Sequence, residues 1–173
     1  VSRESDYIDI NIFEVSIKTR INREEDYSNL ELLWKMILFI TNKEDLTIDF
    51  LINKLNRDNV NYFRLNTEDF PQNLGFNFNF KDNKFTIIDY IKNIEINIED
   101  INSVYYRRPK LPEINFKRLN KGRKKFLLDE ITYCFEGLYK LMRNKYWLNK
   151  IFAIREAENK MYQLQLAKEI GFR

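Results

Sequence analysis

The stretch MILFITNKEDLTIDFLINKLNRDNVNYFRLN, residues 36–66, sets the architecture. It opens on the unbroken apolar run Ile37-Leu38-Phe39-Ile40-Thr41, the pattern of a strand covered on both faces. A short polar turn, Asn42 to Asp45, follows. Ile48, Leu51, Ile52 and Leu55 then fall at i, i+3, i+4 and i+7, an apolar stripe on a helix of about three turns. Val60 to Asn66 reads as a second strand. Strand, helix and strand within about 30 residues form a βαβ unit, with the two strands parallel and the first inside the sheet.

Downstream the period changes. Phe76, Phe78 and Phe80 alternate with Asn77 and Asn79, Asp82-Asn83 supplies a turn, and Phe85 to Asp89 returns, which predicts a β-hairpin. Ile94 to Ile101 has two readings: Ile94, Ile96 and Ile98 alternate like a strand, whereas Glu99-Asp100-Ile101 could turn a short helix. Ser103 to Arg108 reads as a strand that Pro109 ends, since proline offers no ladder donor. Lys125 to Tyr146 is a helix with Leu127, Ile131, Cys134 or Phe135, Leu138 and Leu141 on one face. Trp147-Leu148-Asn149 interrupts, and Arg155 to Ile170 forms a last helix capped by Gly171. A helix ending Ile170-Gly171-Phe172 leads into a further element, so the sequence reads as a piece of a longer one. The fold class is α/β: a small open, mostly parallel sheet with an inserted β-hairpin and flanking helices.

Composition narrows the chemistry. The 173 residues contain no His, one Cys and four Gly, which removes histidine bases and ligands, an internal disulfide and a glycine-rich phosphate loop. No metal site is expected, and no catalytic residue is assigned. Cys134, in the pattern Ile131, Cys134, Phe135, Leu138, reads as a small buried hydrophobe. No apolar run approaches the roughly 18 residues of a membrane helix, and no export signal stands near Val1, so no membrane is expected and the cytoplasm is the default. Residues 1–35, where Ile8, Ile10 and Ile12 alternate with polar residues, read as an N-terminal extension.

The formal net charge of +3 hides a concentration: residues 103–125 hold nine basic side chains and one acidic one. Such a cluster calls for an anion, whether phosphate, nucleic acid or acidic peptide. The plain alternative for Lys117 to Lys125 is a solvated loop. Arg107 and Arg108 differ, because guanidinium groups grip a carboxylate or phosphate with two bonds and they stand at the carboxyl end of a strand, where open α/β sheets bind ligands. Neighbours on a strand face opposite ways, so only one can face the cleft. The other could anchor Glu130 or Glu136 of the long helix, and both could be merely structural. Trp147 reads as a core plug, and Tyr105 and Tyr106 as core and rim. Asn149 and Lys160 favour structural roles, Lys160 pairing Glu156 at i−4.

Four features together resemble the N-terminal part of the ATP-grasp ligases that macrocyclise ribosomal peptides, the microviridin or graspetide maturases. They are the opening MILFITNKEDLTIDFLINKL; SVYYRRP at 103–109, similar to an aromatic-Tyr-Arg-Arg-Pro signature; Trp147-Leu148-Asn149; and Ala157, Lys160, Gln163, Leu164, Ala167 and Gly171 in the last helix. The resemblance covers roughly residues 36 to 173. It implies a pre-ATP-grasp domain over 36–122, then a linking helix and the first helix of a truncated ATP-grasp domain over 123–173. It also implies a ligase that uses ATP and Mg2+, bound mainly outside this chain, to activate Asp or Glu side chains of a precursor peptide as acyl phosphates. Ser or Thr hydroxyls or Lys amines then attack. The implied partner is a ribosomal precursor peptide with its leader, and a homodimer is compatible with it. In that setting Arg107 or Arg108 would contact the substrate carboxylate or phosphate, Tyr106, Trp147, Asn149 and Lys160 would be structural or interface residues, and this chain alone would be inactive. Two readings compete: a peptide-binding or dimerisation module without chemistry, and a nucleic-acid surface built from Tyr105, Tyr106 and the basic residues 107–125.

Overall fold

The computed structural model describes residues 36–112 and 119–172. The extension at 1–35, and Lys117 and Arg118 of the basic segment, lie outside the described residues. Strand β1 (Met36–Thr41) leads through helix α1 (Leu46–Arg57) to β2 (Tyr62–Asn66). Then come β3 (Leu74–Asn79), β4 (Lys84–Asp89) and β5 (Ile94–Asn97), followed by β6 (Ile101–Tyr106) and α2 (Lys121–Leu141). A short β7 (Tyr146–Leu148) and helices α3 (Ile151–Glu158) and α4 (Lys160–Glu169) complete the described part.

The main sheet is four-stranded, ordered β2-β1-β6-β7, with every pairing parallel. Strand β1 lies inside it, and Leu38, Phe39 and Ile40 are wholly buried, as a run apolar on both faces requires. On one face α1 packs Ile48, Leu51 and Leu55 against Ile37, Phe39 and Tyr105. On the other, α2 contributes Ile131, Phe135 and Leu138 to the cluster that holds Leu38, Ile40, Val104 and Trp147. The hairpin β3–β4 forms as its alternation predicts, and β5 extends it to a separate antiparallel sheet. Ile94 to Ile101 thus realises both readings, a strand over 94–97 and a single 3-10 turn over Ile98–Asp100. Rings join this sheet to the helix layer: Phe76 meets Phe85 at 6.1 Å and Phe135 at 5.4 Å, and Phe135 meets Tyr139 at 6.1 Å. No helix of the described residues is long and apolar enough to cross a membrane.

Four expectations need correction. Cys134 is exposed, because Ile131, Phe135, Leu138 and Met142 form the buried stripe of α2 and the cysteine falls beside it. Leu141 is likewise exposed. The segment at Trp147 is strand β7, paired to Ser103–Tyr105 at the sheet edge, rather than a simple interruption. The last helix is two helices, broken at Asn159, whose extended backbone ends α3 and whose side chain accepts from the Tyr162 amide at 3.2 Å to cap α4. Gly171 does close α4 at φ 84°, with Phe172 N bonded to Ala167 O and Gly171 N to Lys168 O, the paired bonds of a Schellman cap.

Trp147 is the plug expected of it. Its ring meets Tyr139 edge-on at 6.1 Å, and Nε1 donates to the Met142 carbonyl at 2.9 Å, tying the end of α2 to β7. Trp147→Phe keeps most of the apolar contact and loses that bond, while the carbonyl still accepts from the Lys145 amide at 2.9 Å, so urea denaturation should show a loss of about 0.5–1.5 kcal/mol at unchanged slope. An unaltered midpoint would show that the bond contributes nothing.

Candidate functional site

In the strand order β2-β1-β6-β7, the connection from β1 departs to one side and β6 lies on the other. The topological switch point, where open α/β sheets take ligands, is therefore the carboxyl end of β1 and β6. The loops that leave β1, β2 and β6 interlock there. Thr67, after β2, accepts at Oγ1 from the Lys110 amide at 2.9 Å and lies 2.6 Å from the Lys110 carbonyl. Glu68 accepts from the Lys43 amide at 2.6 Å. The Arg64 guanidinium pairs with Asp49 and donates to the Asn42 carbonyl at 2.7 Å.

The two arginines part here: both lie just past β6, and the backbone turns left-handed at Arg108. Arg107 continues the face of Tyr105 toward α1. Only 6% exposed, it brings Nε within 3.2 Å of the Asp45 carboxylate, itself 2% exposed, and donates from Nη2 to Thr47 at 3.0 Å. Asp45 caps α1 through its backbone alone; its carboxylate accepts from the Thr41 hydroxyl at 2.9 Å and from Arg107 instead. The expectation that one arginine would anchor Glu130 or Glu136 is overturned, because α2 covers the opposite face of the sheet from Arg107. Glu136 pairs with Arg155 of α3. That bond, outweighing partial burial, holds the Arg155 guanidinium above its ordinary range.

Arg108 is exposed, and its guanidinium has no hydrogen bond or ion pair among the described residues. Its backbone is left-handed, φ 44°, and its carbonyl accepts from Asn42 Nδ2 at 2.6 Å. It borders a cleft of about 420 Å3 between the exits of β6 and β7 and helix α3, shared with Tyr106, Asn149, Arg155 and Glu158. That volume lies in the ~300–1,000 Å3 range of ligand pockets. Asn149, at the exit of β7, is also left-handed at φ 58°. Tyr106 stacks edge-on against Tyr139 at 5.7 Å, and burial raises its phenol above the ordinary value, so it stays a neutral donor.

The cleft thus gathers Tyr106, Arg107, Arg108 and Asn149 of the candidates, Arg107 with its guanidinium committed to Asp45, while Trp147 belongs to the core. Lys160 stands apart on α4, where its ammonium donates to Gln163 at 3.3 Å rather than pairing with Glu156. Asn42, Asp45, Arg155 and Glu158 escaped sequence reasoning. Asp45 and Asn42 had one signal, their place in the turn directly after an apolar strand. Among the described residues no group of three or more His, Cys, Asp or Glu could hold a metal ion.

The MvdD pre-ATP-grasp domain matches residues 36–155. The chain belongs to this family. The match begins at Met36, where the apolar pattern sets in. Among solved structures, macrocyclase MdnB from Microcystis aeruginosa MRC is 28% identical at a TM-score of 0.67, over 79% of this chain and 45% of that one. Macrocyclase MdnC of the same organism, bound with precursor peptide MdnA, is 20% identical at a TM-score of 0.68, over 79% and 44%. A Chryseobacterium gregarium RiPP-associated ATP-grasp ligase in complex with ADP and a leader and core peptide is 24% identical at 0.64, over 80% and 42%. The latter two speak for the fold alone, and the chain spans less than half the length of all three. A comparison with curated proteins gives no match.

Substitution should separate the arginines. Arg107→Ala leaves Asp45 buried without its cation, a loss of about 3–5 kcal/mol, and adding Asp45→Asn should restore part of it. Arg108→Gly relieves a left-handed backbone and should gain about 1 kcal/mol. Equal denaturation midpoints for the two arginine variants would contradict this division. The same edge sets an acid limit. Partial burial raises Asp69, but bonds from Lys43 and Asn73 outweigh it and hold the carboxyl below its usual value of about 3.9. A depressed folded value stabilises fully above the unfolded one and is lost as pH falls through the folded one. Asp69→Asn should therefore lower stability at neutral pH and flatten its decline below about pH 4; parallel curves would refute the pairing.

Proposed function

We propose that this chain is the N-terminal part of an ATP-dependent ligase that cross-links a ribosomal precursor peptide, and that its cleft orients the substrate. The observation that carries the reading is Arg108: an unpaired guanidinium in a strained backbone, at the switch point of a sheet whose family is that of pre-ATP-grasp domains. The division is then an extension over 1–35, a pre-ATP-grasp domain that begins at 36 and takes in α2 and β7 beyond the expected bound of 122, and a link into the ATP-grasp domain after them.

When bound, mainly outside this chain, ATP with Mg2+ supplies the phosphoryl group that activates an Asp or Glu side chain of the peptide toward a Ser or Thr hydroxyl or a Lys amine. That chemistry gathers negative charge on phosphoryl and acyl oxygens, so fixed cations serve it better than proton carriers. A chain without histidine suits such a task. Arg108 binds the carboxylate or phosphate, and Asn42 and Arg107 act as positioning residues, Asn42 through the Arg108 carbonyl and Arg107 by fixing the Asp45 turn. The bound precursor peptide MdnA in MdnC, and the leader and core peptide in the Chryseobacterium gregarium ligase, support a peptide as partner. The nucleic-acid reading loses residues it needs, since Arg107 is buried and Lys110 pairs with Glu44.

In the whole enzyme, Arg108→Ala should slow ring formation by about 10²–10³-fold, the effect of removing one donor to a developing oxyanion. Ring formation at the wild-type rate, followed by mass spectrometry, would remove Arg108 from the mechanism. Calorimetry on the 173-residue chain should find ATP binding weaker than micromolar; micromolar affinity would place the nucleotide site inside it.

A further inference from the structure

The cleft is bipolar rather than basic. Of its three charged side chains besides buried Arg107, Arg155 is neutralised by Glu136. Arg108 and Glu158 remain, one of each sign, neither with a hydrogen bond or ion pair among the described residues. Both occupy places that local structure disfavours. Arg108 has a left-handed backbone where the other described non-glycine residues of positive φ are all Asn. Glu158 is the last residue of α3, at the negative end of the helix dipole, where a cation would be stabilising. Charges kept at such positions without partners point outward to a ligand rather than inward to stability. Ile151 and Ile154 give the cleft an apolar wall, and the Tyr106 hydroxyl stays neutral.

We propose that the cleft seats a peptide segment that carries a carboxylate side chain beside a cationic one, with Arg108 taking the carboxylate and Glu158 the ammonium or guanidinium. This rests on the reading that Arg108 meets the substrate, and it adds that Glu158 is a specificity-determining residue. It also decides between the two anions left open above. A phosphate would meet repulsion from Glu158, whereas an acidic side chain followed by a basic one satisfies both ends. Arg108 alone would accept any acidic segment; Glu158 rejects those with a second carboxylate at that place.

The test uses the 173-residue chain and fluorescein-labelled octapeptides of Gly and Ser that carry, two residues apart and in both orders, Glu with Lys, Glu with Ala, Ala with Lys, or Glu with Glu. Fluorescence anisotropy at low salt should show the better Glu/Lys order binding about fivefold tighter than Glu/Ala, the upper range for a solvent-accessible ion pair. Glu158→Gln should erase that preference with the affinity for Glu/Ala kept and the thermal midpoint unchanged or slightly raised, as removal of a charge from the negative end of α3 requires. Glu158→Lys should shift the preference to Glu/Glu. Equal binding of the Glu/Lys and Glu/Ala peptides, a preference that survives Glu158→Gln, or no measurable binding of any peptide would overturn the proposal. Arg108→Gln reports separately on the underlying reading: it should weaken every Glu-containing peptide, and if it weakens none while Glu158→Gln still alters Lys binding, the role of Arg108 fails and that of Glu158 stands.

Discussion

The pair Arg107–Asp45 holds this domain to its shape. Asp45 ends the turn that carries β1 into α1, and Arg107, one residue past β6, still bonds to β1, from its amide to the Ile40 carbonyl at 2.9 Å. A carboxylate 2% exposed would be untenable alone, and so would a guanidinium 6% exposed. Each is tolerable only because the other is within 3.2 Å, and because Thr41 and Thr47 take up bonds the pair leaves over. The pair therefore fixes the register of two loops across the switch point. Asn42 can reach the Arg108 carbonyl only while the turn that contains both Asn42 and Asp45 is held in place.

From that constraint the legible and illegible parts of the fold can be told apart. The unit β1–α1–β2 was readable because two unambiguous periods, the run Ile37–Ile40 and the stripe Ile48, Leu51, Leu55, follow each other with a short turn between. The hairpin was readable from the Phe-Asn alternation. Strand β7 was not, since three residues carry no period and Tyr146–Leu148 becomes a strand only by pairing with Ser103–Tyr105, some forty residues earlier. Cys134 was misplaced because positions i+3 and i+4 from Ile131 compete for the same helical face, and the larger Phe135 takes it. The break at Asn159 had a local signal, an Asn that caps better than it continues a helix, but a sustained apolar pattern on both sides masked it.

The site was legible to the same depth. Alternation along the expected strand 103–108 predicts that Arg107 and Arg108 diverge, but which one is free to act in the cleft depended on Asp45, 62 residues away, and on α1 and α2 covering opposite faces of the sheet. The supposed partner Glu136 was on the wrong side for Arg107, and its actual cation, Arg155, belongs to a helix whose packing no periodicity revealed. Sequence thus identified the strand exit and the residue type, while tertiary packing assigned the roles.

The two adjacent exits share a feature that stability alone does not explain. Arg108 after β6 and Asn149 after β7 both turn left-handed, and they border one cleft. Asn tolerates that conformation through its short polar side chain, but Arg gains nothing from it and costs about 1–2 kcal/mol. The Asn42 bond to the Arg108 carbonyl, at 2.6 Å, offsets part of that cost by holding the carbonyl where the left-handed turn puts it. An extended residue at 108 would run on along the β6 line, carrying the guanidinium past the sheet edge. The left-handed turn instead bends the chain at the mouth, and Pro109, with its fixed φ, stiffens the departure. Strain, an amide brace and a proline together locate one exposed side chain. This is the arrangement expected where a cation must wait in place for a ligand, and it would be an extravagance where a cation only decorated a surface.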